Sequence, residues 1–216
     1  MILPFQTAAQ VQVALPRALA HLTRNRVLGH PTETVYGLGS TLAESGIAAV
    51  AELKGRPLGK PFLLLVASPA MARERGLRFS HPAEALARAF WPGPLTLVLP
   101  SEPGLLPEAV RGADGGVAVR QTSHPGMTRL LEQWGAPLTS TSANRPGQPP
   151  ASDALELVKE FGAAARSGTL LVLDGGVLGN PPPSTLVDCS GDGARLLREG
   201  AISRTGLRRV IGSLLE

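Results

Sequence analysis

The sequence contains few cysteines, lysines and aromatic residues. Cys189 is the only cysteine in 216 residues, which excludes an intrachain disulfide and a cysteine-rich metal site. We predict that it is a small buried residue rather than a nucleophile. No secretory signal pattern is recognised, so a reducing, cytoplasmic setting is expected. The longest wholly apolar run, residues 62–67, is too short to span a bilayer, and no membrane contact is predicted.

The cations are mostly arginines. Of 21 Lys and Arg residues only three are lysines, and two of these, Lys54 and Lys60, flank Arg56 within seven residues. A lysine in an arginine-rich chain suggests a place for a compact ammonium, although a solvated basic loop would have the same composition. The net charge of +4 and the pI of about 10.0 suit a polyanionic ligand, either a nucleotide or a nucleic acid.

The common catalytic signatures are absent from the sequence. It contains no P-loop, no Rossmann glycine pattern and no G-x-S-x-G elbow, and its histidines lack metal-ligand spacing. His30, His81 and His124 each precede a proline and are predicted as turn or surface residues. Glu33 is either a proton-transferring base or a hydrogen-bonding turn residue.

The remaining candidates are cations, hydroxyls and amides without a clear nucleophile. Such a set suits phosphoryl or nucleotidyl transfer, where catalysis is mostly positioning and charge stabilisation. Mg²⁺ would bridge the phosphates and need few protein ligands, so no protein metal site is predicted.

Apolar periodicity and turn residues predict a chain of mostly alternating helices and strands. The predicted helices cover residues 9–24, 45–54, 69–76, 82–90, 125–134, 153–161 and 203–215. The predicted strands cover residues 26–30, 61–66, 95–99, 117–120, 137–142, 170–174, 185–188 and 195–198. Residues 91–94 (WPGP) form a rigid turn, and residues 101–116 and 145–150 form loops. This pattern predicts one α/β or mixed α+β domain over residues 1–216.

Several apolar strands end in a polar residue. These residues are Arg120, Ser142 with Asn144, Asp174, and Arg198. Ligands of open α/β sheets bind outside strand ends, so we expect these side chains to converge with residues 32–60 on one cationic cleft.

Short motifs in order resemble the YrdC-like threonylcarbamoyl-AMP synthase family. They are PTETVYGL (31–38), KGRP (54–57), WPGPLT (91–96), VR (119–120), SAN (142–144), ST (184–185) and LR (197–198). The resemblance covers residues 11–211. It implies a twisted mixed sheet flanked by helices, with a large basic concave cavity. Longer members carry a further C-terminal domain, and this chain resembles the short, single-domain form.

The resemblance also implies the reaction and the site. L-Threonine, bicarbonate and ATP, with Mg²⁺, would give threonylcarbamoyl-AMP and diphosphate, and partner proteins would use the product to modify tRNA beside the anticodon. The residues implied for threonine binding are Thr34, Arg120, Ser140 and Ser184. The residues implied for ATP binding are Lys54, Arg56, Lys60, Ser142, Asn144 and Arg198. Lys54 and Arg56 would also be catalytic, because they stabilise the departing diphosphate.

The chain departs from the family pattern at two places. Residues 63–65 read Leu-Leu-Leu where many members have a pocket histidine, and Pro182-Pro183 precede Ser184 in place of a more usual pair. Any lid would come from residues 101–116 or 145–150. Two alternatives stay open: a protein that binds double-stranded RNA or tRNA, and a paralogue that makes another carbamoyl or acyl adenylate.

Overall fold

The computed structural model describes residues 1–56, 59–179 and 181–216. Within these ranges ten strands form one sheet. The strands are β1 (Ile2–Pro4), β2 (Val27–His30), β3 (Gly37–Gly39), β4 (Leu63–Val66), β5 (Leu95–Pro100), β6 (Gly116–Gln121), β7 (Leu138–Ser142), β8 (Leu170–Asp174), β9 (Thr185–Asp188) and β10 (Arg195–Arg198).

Eight α-helices surround the sheet in the same described ranges. They are α1 (Ala8–Leu22), α2 (Glu44–Lys54), α3 (Pro69–Glu74), α4 (His81–Phe90), α5 (Pro125–Trp134), α6 (Ala154–Glu160), α7 (Gly162–Ser167) and α8 (Arg204–Ile211). Two 3₁₀ turns, Glu108–Val110 and Gly212–Leu214, complete the elements. None of these helices is long and apolar enough to cross a membrane.

The strand order is β1-β8-β2-β3-β7-β4-β6-β5-β9-β10. Parallel pairs, such as β2 with β8 and β4 with β6, lie beside antiparallel pairs, such as β3 with β7 and β5 with β6. The predicted mixed α/β fold is therefore confirmed. Strands far apart in the sequence form the middle of the sheet, so the order follows tertiary packing rather than chain order.

The sequence prediction missed two strands and one helix. Strand β1 pairs with β8 at one edge, and α7 follows α6 after a break at Phe161. The strand β3 has only the residues Gly-Leu-Gly, yet it joins β2 to β7. A Cβ on Gly39 would lie 2.1 Å from the carbonyl oxygen of Thr139, so glycine is required for this pairing.

Helix bounds differ from the prediction mainly at helix ends. Pro16 lies inside α1, and Thr7 caps the start of that helix. Gly55 ends α2 in the left-handed conformation, as glycine after a helix commonly does. Pro57 of the 54–57 motif lies outside the described residues.

The core lies between the sheet and the helices and contains most of the apolar side chains. Leu64, Leu65 and Val66 of β4, a predicted strand, are fully buried. Cys189 is also buried, and its burial raises the pKa of the thiol to about 12. It is an inert packing residue, as predicted.

Candidate active site

A cavity of about 520 Å³ lies against one face of the sheet. Side chains that alternate along three neighbouring strands form its floor. They are Leu63 and Leu65 of β4, Ala118 and Arg120 of β6, and Ser140 and Ser142 of β7. Arg120, Ser142 and Arg198 converge on this cavity as expected, whereas Asn144 does not line it. The cavity occupies the sheet face rather than the strand ends.

Asp174 does not share in this convergence. Its carboxylate accepts a hydrogen bond from the backbone N–H of Gly176 at 2.9 Å and lies 3.5 Å from the phenol oxygen of Tyr36. The prediction that placed Asp174 in the cleft is wrong, because β8 lies beyond β2 and β3 from the cavity floor. Asp174 instead holds the turn after β8 against the buried Tyr36.

Cations surround the cavity. Arg56, Lys60, Arg120 and Arg198 line it, and none of its described lining residues is acidic. Hydroxyls of Thr and Ser stand between the cations, and they belong to Thr32, Thr34, Thr96, Ser140, Thr141, Ser142 and Ser184. Such a lining can hold an anionic ligand and orient its polar groups.

Arg120 is the most buried of these cations, with 3% of its surface exposed. Its Nη1 donates to Oγ1 of Thr34 at 2.9 Å, and its Nη2 lies 2.8 Å from Oε1 of Glu33 in an ion pair. Its Nε donates to the carbonyl of Gly93 at 3.2 Å. The predicted 91–94 turn, in which the Trp91–Pro92 bond is cis, therefore helps to hold the guanidinium.

Glu33 serves Arg120 rather than the cavity. Its Oε2 accepts a hydrogen bond from the hydroxyl of Thr122. Burial acts to raise the pKa of Glu33, but the charge of Arg120 and the hydrogen bonds from Arg120 and Thr122 outweigh it and hold the pKa below its usual value. Glu33 is thus an ionised, paired carboxylate, which favours the hydrogen-bonding alternative over a catalytic base.

The loop before β3 fixes Thr34 through its neighbour Thr32. Oγ1 of Thr32 accepts hydrogen bonds from the N–H groups of Thr34 and Val35, both at 3.1 Å, and donates to the carbonyl of Val35 at 2.7 Å. A threonine that bonds to its own loop in this way replaces a regular turn and stiffens the backbone.

Lys54 is turned away from the cavity. Its Nζ donates to the carbonyl of Asn144 at 2.9 Å, to Oδ1 of Asn144 at 2.8 Å and to the carbonyl of Ser142, and it lies 3.3 Å from the hydroxyl of Ser142. Burial lowers the pKa of Lys54 to about 8, and the charges of Arg56 and Lys60 act in the same direction. The ammonium braces the end of β7, and its predicted contact with ATP stays a prediction.

Arg56 faces the cavity and is tied to its wall. Its Nη1 donates to Oγ1 of Thr141 at 3.0 Å, its Nη2 donates to the carbonyl of Pro61 at 2.7 Å, and its guanidinium lies 4.7 Å from the ring centre of Phe62. Lys60 is exposed beside it and lines the same cavity.

Ser184 and Arg198 meet at the other end of the cavity. Nη2 of Arg198 donates to the carbonyl of Ser184 at 2.9 Å and lies 3.3 Å from its hydroxyl. The same hydroxyl is 2.9 Å from Oγ1 of Thr96. The two residues were predicted for different substrates, yet they form one cluster in the structure.

His30 was wrongly predicted as a turn or surface residue. It ends β2 with none of its surface exposed, and its Nε2 lies 3.3 Å from the hydroxyl of Ser140. Burial lowers the pKa of His30 to about 4, so the ring is neutral at pH 7. The available signal was its place at the end of an apolar strand, since such a position is commonly buried. His124 is also partly buried and caps α5, whereas His81 is exposed as predicted.

A family model supplies the identification. The model for Sua5, YciO and YrdC proteins, described as telomere recombination, matches residues 20–200. The chain belongs to the Sua5/YciO/YrdC family. The predicted family resemblance is thereby confirmed over most of the chain.

Individual relatives agree with this assignment. The threonylcarbamoyl-AMP synthase of Bacillus subtilis is 32% identical over 93% of this chain, and that of Klebsiella pneumoniae is 35% identical over 81%. The chain spans 57% of the length of the first protein and 90% of the second. The crystal structure of Pyrococcus abyssi Sua5 complexed with L-threonine superposes with a TM-score of 0.87 at 30% identity, covering all of this chain and 62% of that one.

Proposed function

We propose that this chain makes threonylcarbamoyl-AMP and diphosphate from L-threonine, bicarbonate and ATP. Relatives that are 32% and 35% identical over most of this chain carry the name of this synthase, and a related structure is a complex with L-threonine. The observation that carries the proposal is the buried Arg120 in a cavity with further cations at both ends. Neither RNA binding nor a different adenylate product has a comparable observation in its favour.

The amino acid would bind at Arg120. Two N–H groups of this guanidinium donate hydrogen bonds, to Gly93 and Thr34, and Nη2 is ion-paired with Glu33, so a ligand carboxylate would take a remaining donor. Thr34 touches Arg120, and Ser140 lies on the same cavity floor. The hydroxyl of Ser184, the residue before β9, lines the same cavity.

The nucleotide would extend between the cavity's two cationic ends. Arg56, Lys60 and Ser142 lie at the β7 end, and Arg198 lies at the β9–β10 end. Four strand spacings separate β7 from β9, or about 19 Å on a flat sheet. Lys54 and Asn144 would act behind the wall by holding Ser142 in place. The distance between β7 and β9 leaves room for the amino acid between the two ends of the nucleotide.

The chemistry would need positioning and charge stabilisation. The threonine amine takes up bicarbonate-derived CO₂ to form a carbamate and releases a proton. A carbamate oxygen then attacks the α-phosphorus of ATP, the bond to the bridging oxygen breaks, and diphosphate leaves. Arg56 and Lys60 would stabilise the charge of the departing diphosphate.

We propose that ATP enters as its magnesium complex. Within residues 1–56, 59–179 and 181–216 no group of three or more His, Cys, Asp or Glu is placed to hold a metal, so the phosphates themselves would carry the ion. The product would pass to partner proteins that modify tRNA, and we propose that this takes place in the cytoplasm.

The test is diphosphate release by the purified full chain. We expect release that requires both L-threonine and bicarbonate and that falls at least a hundredfold in Arg120→Met. Arg195→Met, at an exposed ion pair with Asp188, is the matched control and should leave the rate unchanged. Release that is equal with other amino acids would favour the paralogue. No ATP turnover together with salt-dependent RNA affinity would favour the RNA-binding protein.

A further inference from the structure

The imidazole of His30 fits into space left by two glycines. His30 pairs with Gly37 of β3, and a Cβ on Gly37 would lie 2.6 Å from Cε1 of His30. A Cβ on Gly39 would lie 3.3 Å from Nε2 of the same ring. Because both positions lack a side chain, the ring can lie against β3 and reach Ser140 on β7.

The partners of the two ring nitrogens select one tautomer. Nδ1 lies 3.5 Å from the carbonyl oxygen of Pro31, which can only accept a hydrogen bond. A neutral ring avoids repulsion between lone pairs by carrying its proton on Nδ1, and His30 is neutral because burial lowers its pKa to about 4. Nε2 is then an acceptor, and the Ser140 hydroxyl must donate to it across 3.3 Å.

We propose that His30 fixes the Ser140 hydroxyl as a hydrogen-bond acceptor toward the amino-acid ligand and so acts as a positioning residue for L-threonine. The inference rests on the proposed function. Ser140 has one hydroxyl proton, and the hydroxyl uses it to donate a hydrogen bond to Nε2 of His30. The lone pairs of the oxygen are therefore left to accept from a ligand in the cavity that Ser140 lines. An acceptor there suits an N–H or O–H of the ligand, while Arg120 on the same floor suits its carboxylate.

The tautomer of His30 can be measured in the free protein. Ring ¹⁵N chemical shifts of the full chain should show a protonated Nδ1 and an unprotonated Nε2 at pH 7. A proton on Nε2 would overturn the proposal, because Ser140 would then be free to donate into the cavity. This measurement is independent of any substrate.

The effect on the ligand is measured with three variants. His30→Phe keeps the ring and removes both nitrogens, and we expect the Kd for L-threonine to rise about 3- to 10-fold, the weight of one hydrogen bond. The Kd for a non-hydrolysable ATP analogue should stay within about twofold. His30→Gln offers an amide oxygen near the place of Nε2 and should retain most of the threonine affinity. The surface variant His81→Phe is the control and should change neither constant.

A double variant tests whether His30 acts through Ser140. If it does, adding His30→Phe to Ser140→Ala should raise the threonine Kd no further. Additive losses, or a folded His30→Phe with wild-type threonine affinity, would overturn the proposal. Wild-type protein that fails to bind threonine would refute the proposed function and the ligand part of this inference, whereas the ¹⁵N shifts would still decide the polarity of Ser140.

Discussion

Replacing Lys54 by Met should destabilise the protein by about 2–4 kcal/mol. Methionine keeps most of the apolar stem of Lys54, which is only 6% exposed, but it removes the donor for four oxygens of Ser142 and Asn144. Each hydrogen bond to a charged group contributes about 1.5–3 kcal/mol, and the sum is smaller because the bonds share one ammonium and its burial carries a cost.

Thermal and urea unfolding of the full chain would measure this change. For a chain of this size the expected loss corresponds to a Tm lower by about 4–16 °C. Lys60→Met is the matched control, because Lys60 is exposed and should change the free energy of unfolding by less than about 0.5 kcal/mol. Equal stability of the Lys54 and Lys60 variants would refute the view that Lys54 braces the end of β7.

Three further variants test one contact of the site and two contacts of the surrounding fold. Glu33→Gln should weaken threonine binding about tenfold, because Arg120 loses its ion-pair partner. Titration calorimetry would measure this change in the Kd. The lowered pKa of Glu33 gives a stabilisation that is present above the usual value of 4.5 and is lost as pH falls below it, so the variant's urea midpoint should depend less on pH there. Tyr36→Phe removes hydrogen bonds of 2.8 and 2.9 Å to the backbone after β8 and should cost about 1–2 kcal/mol in urea unfolding. Gly39→Ala should cost more than about 3 kcal/mol or leave no folded protein, because its Cβ meets the Thr139 carbonyl, and an unchanged circular dichroism melt would contradict this.

Local sequence patterns predicted most of the fold because most elements have a clear local signal. The continuous apolar run of β4 marks a buried strand, and the glycine after Lys54 marks the end of α2. Strand β3 has no such signal, since it is three residues long and two are glycines. Its extended state comes from pairing with β2 and with β7, and the second partner lies about a hundred residues further along the chain, where no local pattern can indicate it.

The sequence predicted which residues form the site better than it predicted how they are arranged. Arg120 and Ser142 are polar residues at the ends of apolar strands, and that pattern predicted that they would meet. The direction of the Lys54 ammonium and the contact of His30 with Ser140 depend on partners 90 and 110 residues further along the chain, so no local pattern contained them. The cavity lies on a sheet face rather than at the strand ends, because Ser140 and Ser142 alternate along β7 and point to the same side of the sheet, and this location was not predicted from the sequence.

The strand order also determines when the cavity can exist during synthesis. Its floor needs β4, β6 and β7, and one of its cationic ends needs Arg198 at the close of β10. While Arg198 is still inside the ribosome, a growing chain lacks that end of the cavity, even if its earlier segments have already folded. A nascent chain therefore cannot form the complete cavity until almost all of these residues have emerged, and a ligand that needs both cationic ends cannot guide the earlier steps of its folding.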